Sequence, residues 1–286
     1  MSLDDLLAKV LACPRDTGAL ERTAEGYACT VCGTRFPVAG AAIHFLAEED
    51  ERPRASVGIG RQPELHSMAL YERNAANNRR TDTEHPATVA MLRALAENGP
   101  AIVDLASGPG GGYVASLLDM VHSGTVVLGT DACVPVVKHQ AELFSREHGD
   151  RFRMLDTDLE KRFPFHDGSV GSFTGGGIDN IECAAFTFRE CLRCLKPGGL
   201  MALEQRFYAD GSESASYLSS EGNIFASWKC LRSYVESIGF TVVAYEDLWI
   251  RVGKSDPKDG MPLCDTDEWT WSQVRLRKPT TTKPCA

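Results

Sequence analysis

No run of apolar residues in this 286-residue chain approaches the roughly 20 needed to cross a bilayer, which excludes a membrane-spanning helix. The first residues, Met1-Ser-Leu-Asp-Asp-Leu6, carry acids and lack the basic start and apolar stretch of a secretory leader. A cytoplasmic location is expected. Basic charge is also short: 30 Lys and Arg stand against 39 Asp and Glu, a formal net charge of −9. That balance argues against broad electrostatic binding to nucleic acid. Ten cysteines are scattered through the chain, and in a reducing compartment core or metal roles are favoured over disulfides.

The chain is organised around residues 103–112. A short apolar stretch, Ala101 to Leu105, leads into Ala106-Ser-Gly-Pro-Gly-Gly-Gly112, and an apolar-periodic segment runs from Tyr113 to Val121. The order reads strand, glycine-rich turn, helix. Glycines there let backbone approach a ligand and tolerate positive φ, and the first turn of the helix offers unpaired N–H groups. Two common readings of such a loop fail. The dinucleotide fingerprint needs glycine at 113, where Tyr113 stands, and the phosphate loop needs a Lys-Ser/Thr pair, which does not follow. Present instead is an acid inside the strand, Asp104, which suits a cation better than a pyrophosphate.

The loop resembles motif I of the class I S-adenosylmethionine (SAM) methyltransferases, with Asp104, Ala106, Gly108 and Gly110 on the motif and Ala106 in place of its first glycine. The resemblance implies that Asp104, Ala106, Ser107, Gly108, Pro109 and Gly110 cradle SAM. It extends along residues 100–205. Thr125 to Asp131 reads as a second strand ending in an acid, which would hold the ribose hydroxyls, with Ala132 beside the adenine. Phe152 to Leu155 is a third strand. The following Asp-Leu and Phe-Pro-Phe turn resembles the adenine-side motif, with Asp158 and Leu159 in its register. Val170 to Thr174 is a fourth strand, and Gly175-Gly-Gly-Ile-Asp-Asn-Ile181 lies at its carboxyl end, where acceptor would meet the methyl group; Gly175 is placed at the cofactor. Glu182 to Leu195 is a helix, closed by Lys196-Pro-Gly-Gly199 and a fifth strand, Leu200 to Glu204. A Ser/Gly-rich insert, 207–222, precedes a helix from Asn223 to Gly239 and two last strands. The expected fold is α/β: a Rossmann-like, doubly wound, seven-stranded sheet whose last strand runs antiparallel. Gly176 to Ile181 also resembles the corresponding loop of the ubiquinone/menaquinone C-methyltransferases. Asp179 stands at that family's Arg, so the quinone substrate does not carry over.

Residues 1–50 read as a separate small β module. Cys13-Pro-Arg-Asp16 and Cys29-Thr-Val-Cys32 have the layout of two knuckles of a zinc ribbon, with Asp16 where a fourth cysteine is expected. Cys13, Asp16, Cys29 and Cys32 either form one structural zinc site or belong to a ribbon that has lost its metal. The segment resembles the zinc-ribbon modules related to the activator subunit of tRNA and protein methyltransferases. Residues 51–84 are a polar connector or lid helix, with Tyr71, Arg79 and Arg80 near cofactor or substrate in one reading and solvated in the other. Residues 85–286 form the methyltransferase domain.

Methyl transfer demands orientation of the nucleophile and, for some acceptors, a base. Asp179 and His166 are the leading candidates for that base, and Glu204 and residues of the 207–222 insert are the others. Asn/Asp-Pro-Pro-Tyr/Phe, frequent in enzymes that methylate base amino groups, is absent. A small metabolite methylated at O, N or C is therefore the leading expectation, with a homodimer as the candidate assembly. Methylation of RNA or a ribosome-linked protein through the ribbon is the second, although residues 1–50 hold four Lys/Arg and eight Asp/Glu. A non-catalytic assembly partner is the third.

Overall fold

The computed structural model describes residues 2–46, 85–108, 110–181, 183–254 and 261–280. The connector at 51–84, with Tyr71, Arg79 and Arg80, lies outside the described residues, as does Pro109 of the glycine loop.

Among the described residues eleven strands form one sheet. They are β1 (Leu20–Arg22), β2 (Gly26–Cys29), β3 (Arg35–Ala39), β4 (Ala42–His44), β5 (Ala101–Leu105), β6 (Val126–Asp131), β7 (Phe152–Asp156), β8 (Val170–Gly176), β9 (Leu195–Tyr208), β10 (Thr241–Val252) and β11 (Glu268–Arg277). Their spatial order is β1-β2-β3-β4-β7-β6-β5-β8-β9-β11-β10. From β4 to β9 all neighbours run parallel. β11 is antiparallel to both β9 and β10, as expected of the last strand. The expected count of seven is exceeded because β1–β4 continue the sheet beyond β7, where β4 pairs in parallel with that strand from Ala42–Met154 to His44–Asp156. Every residue of β5 is buried, as a central strand covered on both faces requires.

Among the described residues seven helices cover the sheet: α1 (Leu3–Val10), α2 (Pro86–Ala96), α3 (Gly112–Met120), α4 (Val134–His148), α5 (Ala184–Cys194), α6 (Glu213–Ser220) and α7 (Trp228–Ile238). Side chains of α2, α3 and α4 build the core on one face, around Met91, Leu117 and Phe144. Those of α1, α5 and α7 build it on the other, around Leu7, Phe188 and Leu231. α1 is set by sequence: the Ser2 hydroxyl accepts from the Asp5 N–H while the Asp5 carboxylate accepts from Ser2, a reciprocal cap. It buries Leu6, Leu7 and Val10, about 1.5–3 kcal/mol each, and Leu7→Asp would detach it.

Two expectations change in detail. The Lys196-Pro-Gly-Gly199 turn lies within β9, which starts at Leu195. The Ser/Gly-rich insert holds a helix, α6, because Ser212 caps it at Ala215 and the Asp267 carboxylate accepts from the Glu213 and Ser214 N–H groups and the Ser214 hydroxyl. No described helix is long and apolar enough to cross a membrane.

Candidate functional site

Strand order reverses between β5 and β8, and in open α/β sheets ligands bind outside the carboxyl ends of strands at such a switch point. The glycine loop leaves β5 there. Ala106 and Gly108 adopt positive φ, +48° and +61°, as does Gly111 at the amino end of α3. Thr130 of β6 holds the loop in this shape. Its hydroxyl donates to the Asp104 carbonyl at 2.9 Å and accepts from the Ala106 N–H, while its N–H donates to the Ser107 hydroxyl. Gln140 of α4 donates to the Gly108 carbonyl. Neither residue is visible as a motif, because each acts only once α4 and β6 fold back on the loop.

Asp104 is 1% exposed, and its Oδ1 has no hydrogen-bond partner among the described residues. Burial pushes its carboxyl up to about 7, with the Asp131 charge adding to the effect and Ser107 opposing it. A buried polar atom left unmatched costs about 1–3 kcal/mol, so the loop is built for a ligand that brings a donor or a cation to Asp104. Asp131 ends β6 half-buried. Its Oδ2 accepts from the Gly108 N–H at 3.0 Å and its Oδ1 from the Cys133 N–H at 2.8 Å. These bonds fix the carboxylate at the loop, at the strand end where a diol would be held. Ala132 follows at the same edge, and Gly110 is buried in the loop. The residues present thus fit SAM: a carboxylate for its ammonium and another for its ribose.

Asp158 and Leu159 follow β7 at its carboxyl end. The Asp158 carboxylate caps its own turn, accepting from the Glu160 N–H at 2.8 Å, and Leu159 is buried with its carbonyl taking the Thr187 hydroxyl. Asp156 stands level with Asp131 and pairs with His44 of β4 at 3.1 Å.

At the far side of the loop, Gly175 and Gly176 end β8. A Cβ on Gly175 would come 3.0 Å from the Leu105 carbonyl, and one on Gly176 would come 3.0 Å from the Tyr113 ring. The register sets tiers on the face toward α2 and α3. Asp104, Thr174, Ala202 and Arg275 share one level. Gly176, Glu204 and Gln273 form the next. Arg206 with Trp271, and Tyr208 with Trp269, stand above it. Glu204 is 1% exposed and takes three donors: the Thr88 hydroxyl, the Tyr113 hydroxyl at 2.8 Å and the Trp271 indole N–H at 3.4 Å. Arg206 lies over the Trp269 ring at 4.9 Å, and its Nε is 3.8 Å from Asp179. Burial raises the Tyr208 hydroxyl to about 12. Sequence reasoning passed over Tyr113, Trp269 and Trp271, whose convergence depends on the β9–β11 register.

Asp179, in the turn after β8, is therefore brought to the site. His166 is not. It precedes β8, and its N–H donates to the Val10 carbonyl at the end of α1. A seven-residue strand separates it from the carboxyl end, roughly 20 Å away.

The four knuckle residues do converge. The ligand atoms of Cys13, Asp16, Cys29 and Cys32 all lie within 4.8 Å of one another. Cys13 and Cys32 sulfurs are 3.7 Å apart, and the Cys29 sulfur is 3.2 Å from Asp16 Oδ1. Tetrahedral zinc with bonds of about 2.3 Å to sulfur and 2.0 Å to oxygen has edges of roughly 3.5–3.8 Å, so the set fits that ion. Gly18 is required beside it: a Cβ there would lie 2.7 Å from the Cys29 sulfur. The Gly18 N–H is the main group holding Asp16 down at about 2. Burial raises the Cys13 thiol to about 12, whereas hydrogen bonds from Thr34 lower Cys32.

Residues 105–203 match the model of a methyltransferase domain family. No curated protein sequence matches significantly. Among solved structures, the 4+2 cyclase SpnF is similar with a TM-score of 0.54 at 14% identity, over 76% of this chain and 94% of that one. Haemonchus contortus phosphoethanolamine N-methyltransferase 2, in complex with S-adenosyl-L-methionine, gives 0.54 at 17% identity, over 76% of this chain and 58% of that one. A SAM-dependent methyltransferase from Aquifex aeolicus gives 0.52 at 13% identity, over 74% and 98%. Residues 105–203 thus constitute a methyltransferase domain, in the class I SAM-dependent fold, and the chain is a methyltransferase.

Proposed function

We propose that the chain transfers a methyl group from SAM to a small-molecule acceptor. The observation that carries the reading is the buried Oδ1 of Asp104, without a partner among the described residues, beneath a loop whose Gly108 N–H donates to Asp131. When bound, SAM supplies an activated methyl on sulfonium. Asp104 would hold its ammonium, Asp131 its ribose hydroxyls, and Ala106, Ser107, Gly108 and Gly110 the backbone cradle. Ala132, Asp158 and Leu159 would border the adenine and Gly175 the methionine end. The acceptor would lie over Gly176 and Gly177, between Tyr113, Trp271 and Asp179. These walls are side chains facing inward from three elements, which suits a small molecule. The net charge of −9 weighs against nucleic acid.

The same reading gives the N-terminal strands a zinc-ribbon role, with Cys13, Asp16, Cys29 and Cys32 holding one structural zinc. The docking of β4 on β7 supports a ribbon that buttresses the sheet edge beside Asp156, the arrangement one would want of an activator module fused to its own enzyme.

Calorimetric titration with SAM and S-adenosylhomocysteine tests the cofactor assignment. Micromolar binding is expected, weakened about tenfold or more, about 1.4 kcal/mol, by Asp131→Ala. A wild-type protein that binds neither ligand would defeat it.

A further inference from the structure

The tier above Asp104 carries a recognition feature that cofactor binding does not use. Glu204 accepts three hydrogen bonds, all from neutral donors on α2, α3 and β11. A carboxylate accepts about four, so a position on Oε1 remains. No cation pairs with Glu204 among the described residues. Directly opposite on β11 and on the same face stands Gln273, 1% exposed, whose Oε1 and Nε2 both lack partners among the described residues. Two buried acceptors, one of them anionic, thus face each other at the level of Gly176. The Tyr113 ring closes one side, and the Trp271 ring reaches Gly177 on the other, 3.6 Å from where its Cβ would be.

A hydroxyl acceptor would bring one hydrogen to this site. A neutral or protonated amine brings two or three and satisfies both Glu204 and Gln273, and the protonated form places positive charge against a carboxylate and two aromatic rings. We propose that Glu204 and Gln273 form the recognition site for an amine, so that the acceptor atom is nitrogen; this deepens the small-molecule reading and rests on it. An amine held as its cation first loses one proton through Glu204 to water, and the lone pair of the neutral nitrogen then forms the bond to the methyl carbon. The carbon–sulfur bond breaks with its electrons to the neutral thioether of S-adenosylhomocysteine. The proton shed by nitrogen passes to the open position on Glu204 and on to water.

The test uses the whole protein saturated with S-adenosylhomocysteine. Heat of binding is followed by calorimetry while phenethylamine, tryptamine and ethanolamine are titrated, each beside its alcohol counterpart, 2-phenylethanol, tryptophol and ethylene glycol. At least one amine should saturate roughly tenfold more tightly than its alcohol. Glu204→Gln and Gln273→Leu should each weaken that amine about tenfold while S-adenosylhomocysteine affinity and a cooperative melt are retained. Gln273→Leu keeps the shape of a buried side chain and guards against a folding defect in the Glu204 variant. With S-adenosylhomocysteine bound, an alcohol that binds as well as its amine, silence across the amine panel, or variants that bind amines like wild type would each overturn the proposal alone. A protein that does not bind S-adenosylhomocysteine would remove the methyltransferase reading, and the proposal with it.

Discussion

Asp104 and Thr174 stand side by side across the β5–β8 register, both buried, each with an oxygen that no described residue satisfies. The pair forms the floor of the site, and an unsatisfied floor has a measurable consequence. Burial raises Asp104 to about 7 from an ordinary 3.8. Between those values the folded chain keeps a proton that the unfolded chain has released. This group's contribution to stability is therefore full below pH 4 and is lost as pH rises through about 7. Asp104→Asn should remove that loss, stabilising the ligand-free protein at pH 8 by an amount on the order of 1 kcal/mol or more. It should also abolish SAM binding. The wild type should bind SAM more tightly as pH rises from 6 to 8, because the cation prefers the carboxylate. Melting curves and calorimetry across that range decide it; affinity that falls with rising pH would contradict the assignment.

Ala106 occupies the left-handed region at φ +48° in the place where related loops carry glycine. A side chain costs about 1 kcal/mol there, partly offset by the greater freedom of glycine in the unfolded chain. Ala106→Gly should therefore raise stability by about 0.5 kcal/mol in denaturant titration and leave SAM affinity intact. A loss of about 1 kcal/mol or more would mean that the Ala106 methyl is packed to purpose.

The acids of the site were legible because a carboxylate at a strand end followed by glycines is a local pattern. Asp104 and Asp131 are separated by one helix and one strand, and that spacing survives folding. Thr130 and Gln140 carry no such mark, since their partners lie 24 to 32 residues away in backbone that only the folded loop presents. His166 misled because it shares a turn with the adenine-side motif, yet the chain crosses to the amino end of β8 within that turn. The pairing of β4 with β7 links residues more than a hundred apart through strands of three and five residues, too short for periodicity to announce.

The knuckle cluster yields a further expectation. Gly18 leaves no room for a Cβ beside the Cys29 sulfur, and closing four ligand atoms on one ion tolerates displacements of only about 0.2 Å. Protein purified without added zinc should contain roughly one zinc per chain. Gly18→Ala should lower that content and the melting temperature together, and Cys29→Ser with Cys32→Ser should abolish it. Metal analysis showing none in wild type would sink the zinc site.

Arg193 of α5 ties the same end of the molecule to the sheet. Its Nε and Nη2 donate to Glu190 at 2.9 and 2.6 Å, and its Nη1 donates to Asp167 and to the Phe165 carbonyl. Phe165 in turn bridges to Leu11, and the Pro164 carbonyl accepts from Ala12, one residue before Cys13 of the knuckle cluster. Arg193→Met would leave the Glu190 carboxylate, 10% exposed, facing a thioether. Removing one partner of such a pair costs about 3–5 kcal/mol, because the remaining charge is stranded. Arg193→Met with Glu190→Gln should recover part of that loss, since an amide is cheaper to strand than a carboxylate. Denaturant titration of the two variants separates this ion-pair account from simple loss of packing. Under packing alone, the second substitution would recover nothing, as it leaves the volume beside Phe163 and Phe165 unchanged.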